Sequence, residues 1–238
     1  MVRENLQEVE EKIADACRRA GRDREEVTLI AVSKTKPVAM IEEAVDSGII
    51  SFGENKVQEM LEKQKVIDRQ LQLQLLGHLQ RNKVRQIVGK VTRIHSVDSL
   101  RLAKQIQTEY EKKNLVADIL IEVNMAREES KFGFMPEETE EAIRQISGCA
   151  NICVKGLMTV APFVENPEEN RPHFQNLNKL LVDINRKNID NINMSELSMG
   201  MTGDYEVAIE EGATFVRVGT GIFGIRQYLG NCETSSKS

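Results

Sequence analysis

Eight short β-branched or apolar runs, each followed by a longer stretch with helical spacing, constrain this chain more than any other feature. The runs fall at 27–33 (VTLIAVS), 50–53, 73–77, 93–97, 117–124 (ADILIEVN), 152–159, 196–199 and 215–219. Strands alternating with helices imply parallel βαβ units. Eight units within 238 residues point to an α/β fold, a single closed (β/α)8 TIM barrel. An open doubly wound sheet is the alternative if one strand is miscounted. Between the strands, Pro37 suits the first turn of a helix reaching about residue 46, and Gly48 stops it. Residues 54–68 read as helix with Val57, Met60, Leu61 and Gln64 along one side, and 82–88 as another. Asp98 or Ser99 serves as N-cap of the next, Pro136 opens one, Pro167 leads to one ending near Lys187, and 204–211 is short. Before the first strand, Leu6, Val9, Ile13, Ala16 and Ala20 recur at steps of three or four up to Gly21. That pattern predicts an extra N-terminal helix, expected as a lid over one end of the barrel. The domain is expected to cover 1–230, and 231–238 to be a disordered tail.

The net charge of −5, with lysine and arginine scattered, gives no electrostatic footprint for nucleic acid or an anionic membrane. No apolar run approaches the length of a membrane span, and the N-terminus is charged from Arg3, unlike a signal peptide. A cytoplasmic chain is the expectation. Cys17, Cys149, Cys153 and Cys232 form no CxxC pair, and the three histidines add no metal spacing. Neither disulfides nor a structural metal are expected.

In a barrel of this kind the site lies at the carboxyl ends of the strands, with phosphate often held by the loops after strands seven and eight. The first of those loops carries Ser198-Met199-Gly200-Met201-Thr202-Gly203 and the second Gly219-Thr220-Gly221. Glycines let backbone N–H groups approach an anion, and the hydroxyls can donate as well. Lys34 stands where the first strand ends, sharing its parity with Thr28, Ile30 and Val32, the face assigned to the interior. A desolvated lysine there has the lowered pKa that suits a Schiff-base nucleophile. Lys36 has the same parity, so the pattern alone leaves it as an alternative. Arg217 can point inward from the eighth strand, next to the first, and two interior cations imply an anionic ligand. An ion pair with Glu122 or Glu54 is the other reading of Arg217.

The segments AVSKTKP (31–37), FGEN (52–55), GHLQRNK (77–83), SKFG (130–133), GLMTV (156–160) and LSMGMTGDYEVAIEEGATFVRVGTGIFG (197–224) resemble the pyridoxal phosphate homeostasis protein family. That family is similar in fold to the N-terminal barrel of alanine racemase, the type III fold of pyridoxal 5′-phosphate (PLP) proteins. The resemblance implies a PLP cofactor joined to Lys34 as a Schiff base, with Arg217 at the pyridine nitrogen. It further implies that Ser198, Gly200, Met201, Gly219 and Thr220 hold the phosphate, and that Asn55 and Met158 line the ring pocket. Two departures fall at the rim: Gln74 where the family often has histidine, and Thr202-Gly203 where it often has an acidic or small pair.

A permanently charged arginine at the pyridine nitrogen keeps the ring unprotonated and a weaker electron sink. The expected function is therefore vitamin B6 and amino-acid homeostasis by a PLP-binding protein without strong catalysis. A weak amino-acid racemase is the alternative, and a sugar-phosphate enzyme using Lys34 as acid/base is a third. Tyr110, Tyr205 and Tyr228 offer no evident second base. The expected partner is PLP, with transient contacts to PLP-dependent or PLP-synthesising enzymes, and the chain is expected to be a monomer.

Overall fold

The computed structural model describes residues 1–224, so the expected tail, Tyr228 and Cys232 lie outside the described residues. Eight parallel strands close into one barrel in sequence order. They are β1 (Thr28–Val32), β2 (Ser51–Glu54), β3 (Gln72–Leu75), β4 (Arg93–Val97), β5 (Ala117–Glu122), β6 (Ile152–Met158), β7 (Glu196–Met201) and β8 (Phe215–Val218). Closure comes from β1 beside β8, where Thr28 faces Phe215 and Ile30 faces Arg217. The helices are α1 (Val2–Arg19), α2 (Val38–Asp46), α3 (Val57–Val66), α4 (Val84–Ile87), α5 (Leu100–Glu111), α6 (Pro136–Ile146), α7 (Arg171–Asn185), α8 (Tyr205–Glu210) and α9 (Thr220–Phe223). Ser99 caps α5 by accepting from the Leu102 N–H, and Pro136 opens α6.

Strand alternation divides the side chains cleanly. Leu29, Ala31, Phe52, Leu73, Leu75, Ile94, Ile119, Ile121, Leu197, Val216 and Val218 join the apolar layer between strands and helices. The opposite faces carry Ile30, Ser51, Gln74, His95, Leu120, Ser198 and Arg217, all buried inside the barrel. Much of the interior is thus polar, and the apolar shell around it carries the hydrophobic stabilisation, roughly 1.5–3 kcal/mol for each large side chain buried.

The N-terminal helix is not a lid. Asn5 Nδ2 donates to the carbonyl of Ile222 just after β8, while Arg22 Nη1 donates to the carbonyls of Ile209 and Ala213 just before it. Helix α1 therefore runs antiparallel to β8 along the outside of the barrel, against α8, α9 and α2. With only four residues, α9 cannot cover β8 and β1, and the stripe Val2, Leu6, Val9, Ile13, Ala16, Cys17 does so instead. Gly21, at φ +65°, ends α1 in the left-handed conformation its lack of a Cβ permits.

Other boundaries move by a few residues. Strand β2 runs to Glu54, so α3 starts only at Val57, and its buried stripe is Val57, Met60 and Lys63 rather than one ending on Gln64. The segment expected as helix over 82–88 is a 3-10 turn, Arg81–Lys83, followed by the short α4. Strand β7 continues to Met201, two residues past its expected end, with an irregular register against β8 between Ser198 and Met201.

Candidate functional site

The chain leaves β1 through a turn closed by Lys36 N–H donating to Ser33 C=O at 3.0 Å, with Thr35 at φ +63°. A β-branched residue in the left-handed region is strained, because its Cβ crowds the following carbonyl. This turn puts Lys34 on the wall of a cavity of about 530 Å3 at the carboxyl mouth of the barrel. The alternative lysine points elsewhere: Lys36 Nζ donates to the carbonyls of Phe223 and Gly224 at 3.0 and 2.7 Å and is absent from the cavity lining. Of the nine residues expected at the site, Lys34, Asn55, Met201, Arg217, Gly219 and Thr220 line the cavity. Val32, Leu76, Val160, Pro162, Phe163 and Val164 supply its apolar surface.

Arg217 is only 5% exposed. Its Nη1 donates to Ser198 Oγ at 2.7 Å and its Nη2 to the Thr159 carbonyl at 2.8 Å. Burial lowers its pKa to about 10, against the charges of Asp204 and Glu122, so it remains a cation at neutral pH. Neither carboxylate weighed against it in sequence makes an ion pair with it, and Glu54 pairs with Lys63.

Behind Arg217 a hydrogen-bond chain crosses the barrel. Ser198 Oγ lies 2.9 Å from His95 Nδ1, His95 Nε2 lies 2.6 Å from Gln74 Oε1, and Gln74 Nε2 lies 2.5 Å from Ser51 Oγ. Complete burial, with Arg217 and Arg93 nearby, holds His95 well below its ordinary pKa, so the ring is neutral. Arginine can only donate, so Ser198 accepts from Arg217 and gives its own proton to Nδ1. The other ring nitrogen then carries the hydrogen and donates to Gln74. At position 74 the glutamine amide both accepts from His95 and donates to Ser51.

Met158, Ser198 and Gly200 lie behind the cavity wall rather than on it. Met158 is buried between its partners Glu122 and Ser198. Gly200 has φ +87°, and a Cβ there would sit 2.6 Å from Ala208 Cβ and 2.9 Å from Tyr205 Cα, so it shapes the turn into α8. The loop after β7 is braced by Asp204, which accepts from Met201 N–H at 2.6 Å and from Asn170 Nδ2 at 2.7 Å. Thr202 Oγ1 accepts from the N–H groups of Gly219 and Gly221 at 3.2 and 3.4 Å, tying the two loops together. At Gly77 a Cβ would lie 2.4 Å from the Asn55 carbonyl, so this glycine lets Asn55 reach its place on the wall.

Sequence reasoning missed His95, Asp204, Asn170 and Thr202 as a brace, and weighed Glu122 only as an ion-pair partner of Arg217. Alternation along ADILIEVN places Asp118, Leu120 and Glu122 on one face. Burial, with Asp98 adding its charge, pushes the Glu122 carboxyl up to about 7, against Arg217 and Lys131. Nearby, His78 Nδ1 lies 2.7 Å from Asp98 Oδ2, and its ring stacks on Phe132 at 3.9 Å. Among the described residues no acidic, histidine or cysteine cluster could hold a metal ion, and no helix is long and apolar enough to cross a membrane.

Two basic side chains face one cavity whose other walls mix apolar residues with Asn55, Asn170, Thr202, Asp204 and Thr220, and strand-end loops frame it with small residues. That set fits a flat ligand carrying an aldehyde and a phosphate: an amine for the first, a braced glycine loop for the second, and a fixed guanidinium for the ring.

Residues 5–227 match the family model of the alanine racemase N-terminal domain. The chain is 46% identical over 226 residues to the pyridoxal phosphate homeostasis protein of Aquifex aeolicus, covering 94% of this chain and 98% of that one. It is 36% identical over 229 residues to that of Escherichia coli K12, covering 94% and 96%. Among solved structures, PipY of Synechococcus elongatus with PLP bound superposes with a TM-score of 0.81 at 32% identity, covering 94% of this chain and all of that one. An alanine racemase of Clostridium difficile, at 15% identity and a TM-score of 0.74, shares the fold over 94% of this chain and 56% of its own.

Proposed function

We propose that this chain, which belongs to the pyridoxal phosphate homeostasis protein family, binds PLP at the carboxyl mouth of its barrel and serves in PLP and amino-acid balance. The observation that carries this reading is the convergence of Lys34 and Arg217 on one cavity framed by the loops after β7 and β8. PLP brings an aldehyde that condenses with an amine, releasing water, and a ring that withdraws electrons from what is attached.

Lys34 Nζ supplies that amine and holds the cofactor as a Schiff base. Asn55 lines the ring pocket, and Met158 backs its wall from inside the barrel. The loops that carry Gly200, Met201, Gly219 and Thr220 hold the phosphate, with Met201, Gly219 and Thr220 on the cavity wall and Gly200 shaping the turn behind it. The Ser198 hydroxyl acts one layer deeper, fixing Arg217 where it would meet the pyridine nitrogen. Being a donor only, Arg217 leaves the pyridine nitrogen unprotonated and so restrains carbanion chemistry. Tyr110 and Tyr205 are buried in helices away from the cavity, and burial pushes both phenols up to about 12. They are not placed as a second base for racemisation. A cofactor carrier without strong catalysis, working as a monomer with transient partners among PLP-dependent or PLP-synthesising enzymes, is the reading favoured here. The free thiols of Cys17, Cys149 and Cys153 suit the cytoplasm.

The test is the visible spectrum of protein incubated with PLP, before and after borohydride. A band trapped as a pyridoxyl group on Lys34, and missing in Lys34→Ala, is expected. No band in the wild type refutes the reading. Turnover of a panel of L- and D-amino acids above the Lys34→Ala blank would instead favour a weak racemase.

A further inference from the structure

Lys63 lies in the middle of α3 and is only 8% exposed. Its ammonium has three hydrogens and meets three acceptors: the Ser33 carbonyl at 2.6 Å, Glu54 Oε1 at 2.7 Å and Glu59 Oε1 at 2.7 Å. The two carboxylate oxygens reach further. Glu54 Oε1 also accepts from Ser33 Oγ at 2.5 Å, and Glu59 Oε1 also accepts from the Thr35 N–H.

The bonded backbone groups belong to the two peptide units on either side of Lys34. The Ser33 carbonyl lies in the peptide before Lys34 Cα, and the Thr35 N–H lies in the peptide after it. Pinning both planes fixes the two backbone torsions of Lys34, and with them the direction in which its side chain leaves the turn. The same bonds hold Thr35 in its left-handed conformation, which a threonine does not adopt unless its surroundings insist. A salt bridge on the surface would explain nothing here: this one is buried, its ammonium is saturated, and each arm ends on a neighbour of the same residue.

We propose that Lys63, with Glu54 and Glu59, is a positioning group for the PLP-binding lysine, setting the backbone of Ser33–Lys34–Thr35 so that Lys34 Nζ is presented to the cavity in reactive orientation. This rests on the reading that Lys34 carries PLP. None of the three side chains lines the cavity, so they act on Lys34 through the backbone that carries it.

The experiment pairs a measurement on cofactor-free protein with one on the loaded protein. Hydrogen exchange of the Thr35 amide is followed without cofactor, and PLP is titrated by its visible band, with borohydride trapping at Lys34. Glu59→Ala is the principal variant: it removes the Thr35 anchor yet leaves Lys63 and Glu54 as a neutral pair. Lys63→Met is the second, and it strands two carboxylates, so its folding is checked by circular dichroism. Thr35 exchange in Glu59→Ala is expected to rise, and PLP affinity to fall, each about tenfold or more, the usual weight of a charge-assisted bond. Glu59→Gln, whose amide oxygen still accepts both bonds, is expected to stay within about threefold of wild type in both readouts. A wild-type band with Glu59→Ala unchanged overturns the positioning role alone. No wild-type band overturns the PLP reading and this inference with it.

Discussion

Replacing Ser198 by alanine tests the hydrogen-bond chain that fixes Arg217. The hydroxyl accepts from Arg217 Nη1 at 2.7 Å and donates to His95 Nδ1 at 2.9 Å, and it is fully buried. Its loss orphans one arm of a buried guanidinium and one ring nitrogen. A bond to a charged group is worth about 1.5–3 kcal/mol and a neutral one about 1 kcal/mol, so the variant should lose roughly 2.5–4 kcal/mol. The Thr159 carbonyl still holds Nη2, which keeps the loss from growing further. The assay is urea denaturation at pH 7 followed by circular dichroism, with PLP binding read in parallel from the visible band. A stability change under about 1 kcal/mol, together with a large loss of affinity for inorganic phosphate, would refute this placement. It would put the hydroxyl in the phosphate loop after all.

Two further substitutions probe the barrel's carboxyl end. Glu122 is raised by burial from an ordinary 4.5 to about 7, so the native state keeps a proton that the unfolded chain sheds between those values. Stability from that proton is full below pH 4.5 and lost as pH climbs through 7. Glu122→Gln should therefore match wild type at pH 4 and exceed it at pH 8 by up to about 3 kcal/mol in denaturant titrations, and a pH-independent difference would sink the argument. Gly200→Ala must adopt φ +87° and place a Cβ 2.6 Å from Ala208 Cβ. It should cost about 3 kcal/mol, or roughly 6–12 °C in Tm by calorimetry, with an unchanged Tm as the contrary result.

The strand rhythm was legible because its two periods are local: alternation within a run and steps of three or four between runs survive whatever packs against them. The resting place of α1 was not. Its stripe from Leu6 to Ala16 says that one face is buried, but only the shortness of α9 shows that β8 needs covering. Lys34 and Arg217 could be brought to one cavity from sequence because each sits near a strand end whose parity is readable. Ser198 lies within β7, which continues to Met201 through an irregular register, and its hydroxyl meets Arg217 and His95 inside the barrel. Lys63 escaped notice for a different reason. A lysine in an amphipathic helix reads as a solvated face, and only the three-dimensional meeting of α3, β2 and the turn after β1 supplies its acceptors.

Barrel interiors of this kind are usually filled by branched apolar side chains, and the departure here explains why an arginine can stand under the cavity at all. At the amino end Arg93 lies 2.9 Å from Glu196, 3.6 Å from Asp118 and over the ring of Phe215. One layer up, donation runs in a single direction from Arg217 through Ser198, His95 and Gln74 to Ser51. A buried charge without such a chain would relinquish its position or its proton, since desolvation lowers Arg217 to about 10 even against the charges of Asp204 and Glu122. Lysine could not replace it on the same terms. An ammonium is a point charge, whereas the planar fork is held at two of its nitrogens, by Ser198 and by the Thr159 carbonyl, and still borders the cavity. The chain thus converts a costly buried cation into a rigid one at the cavity floor, and that rigidity is what the role proposed for Arg217 at a cofactor ring requires.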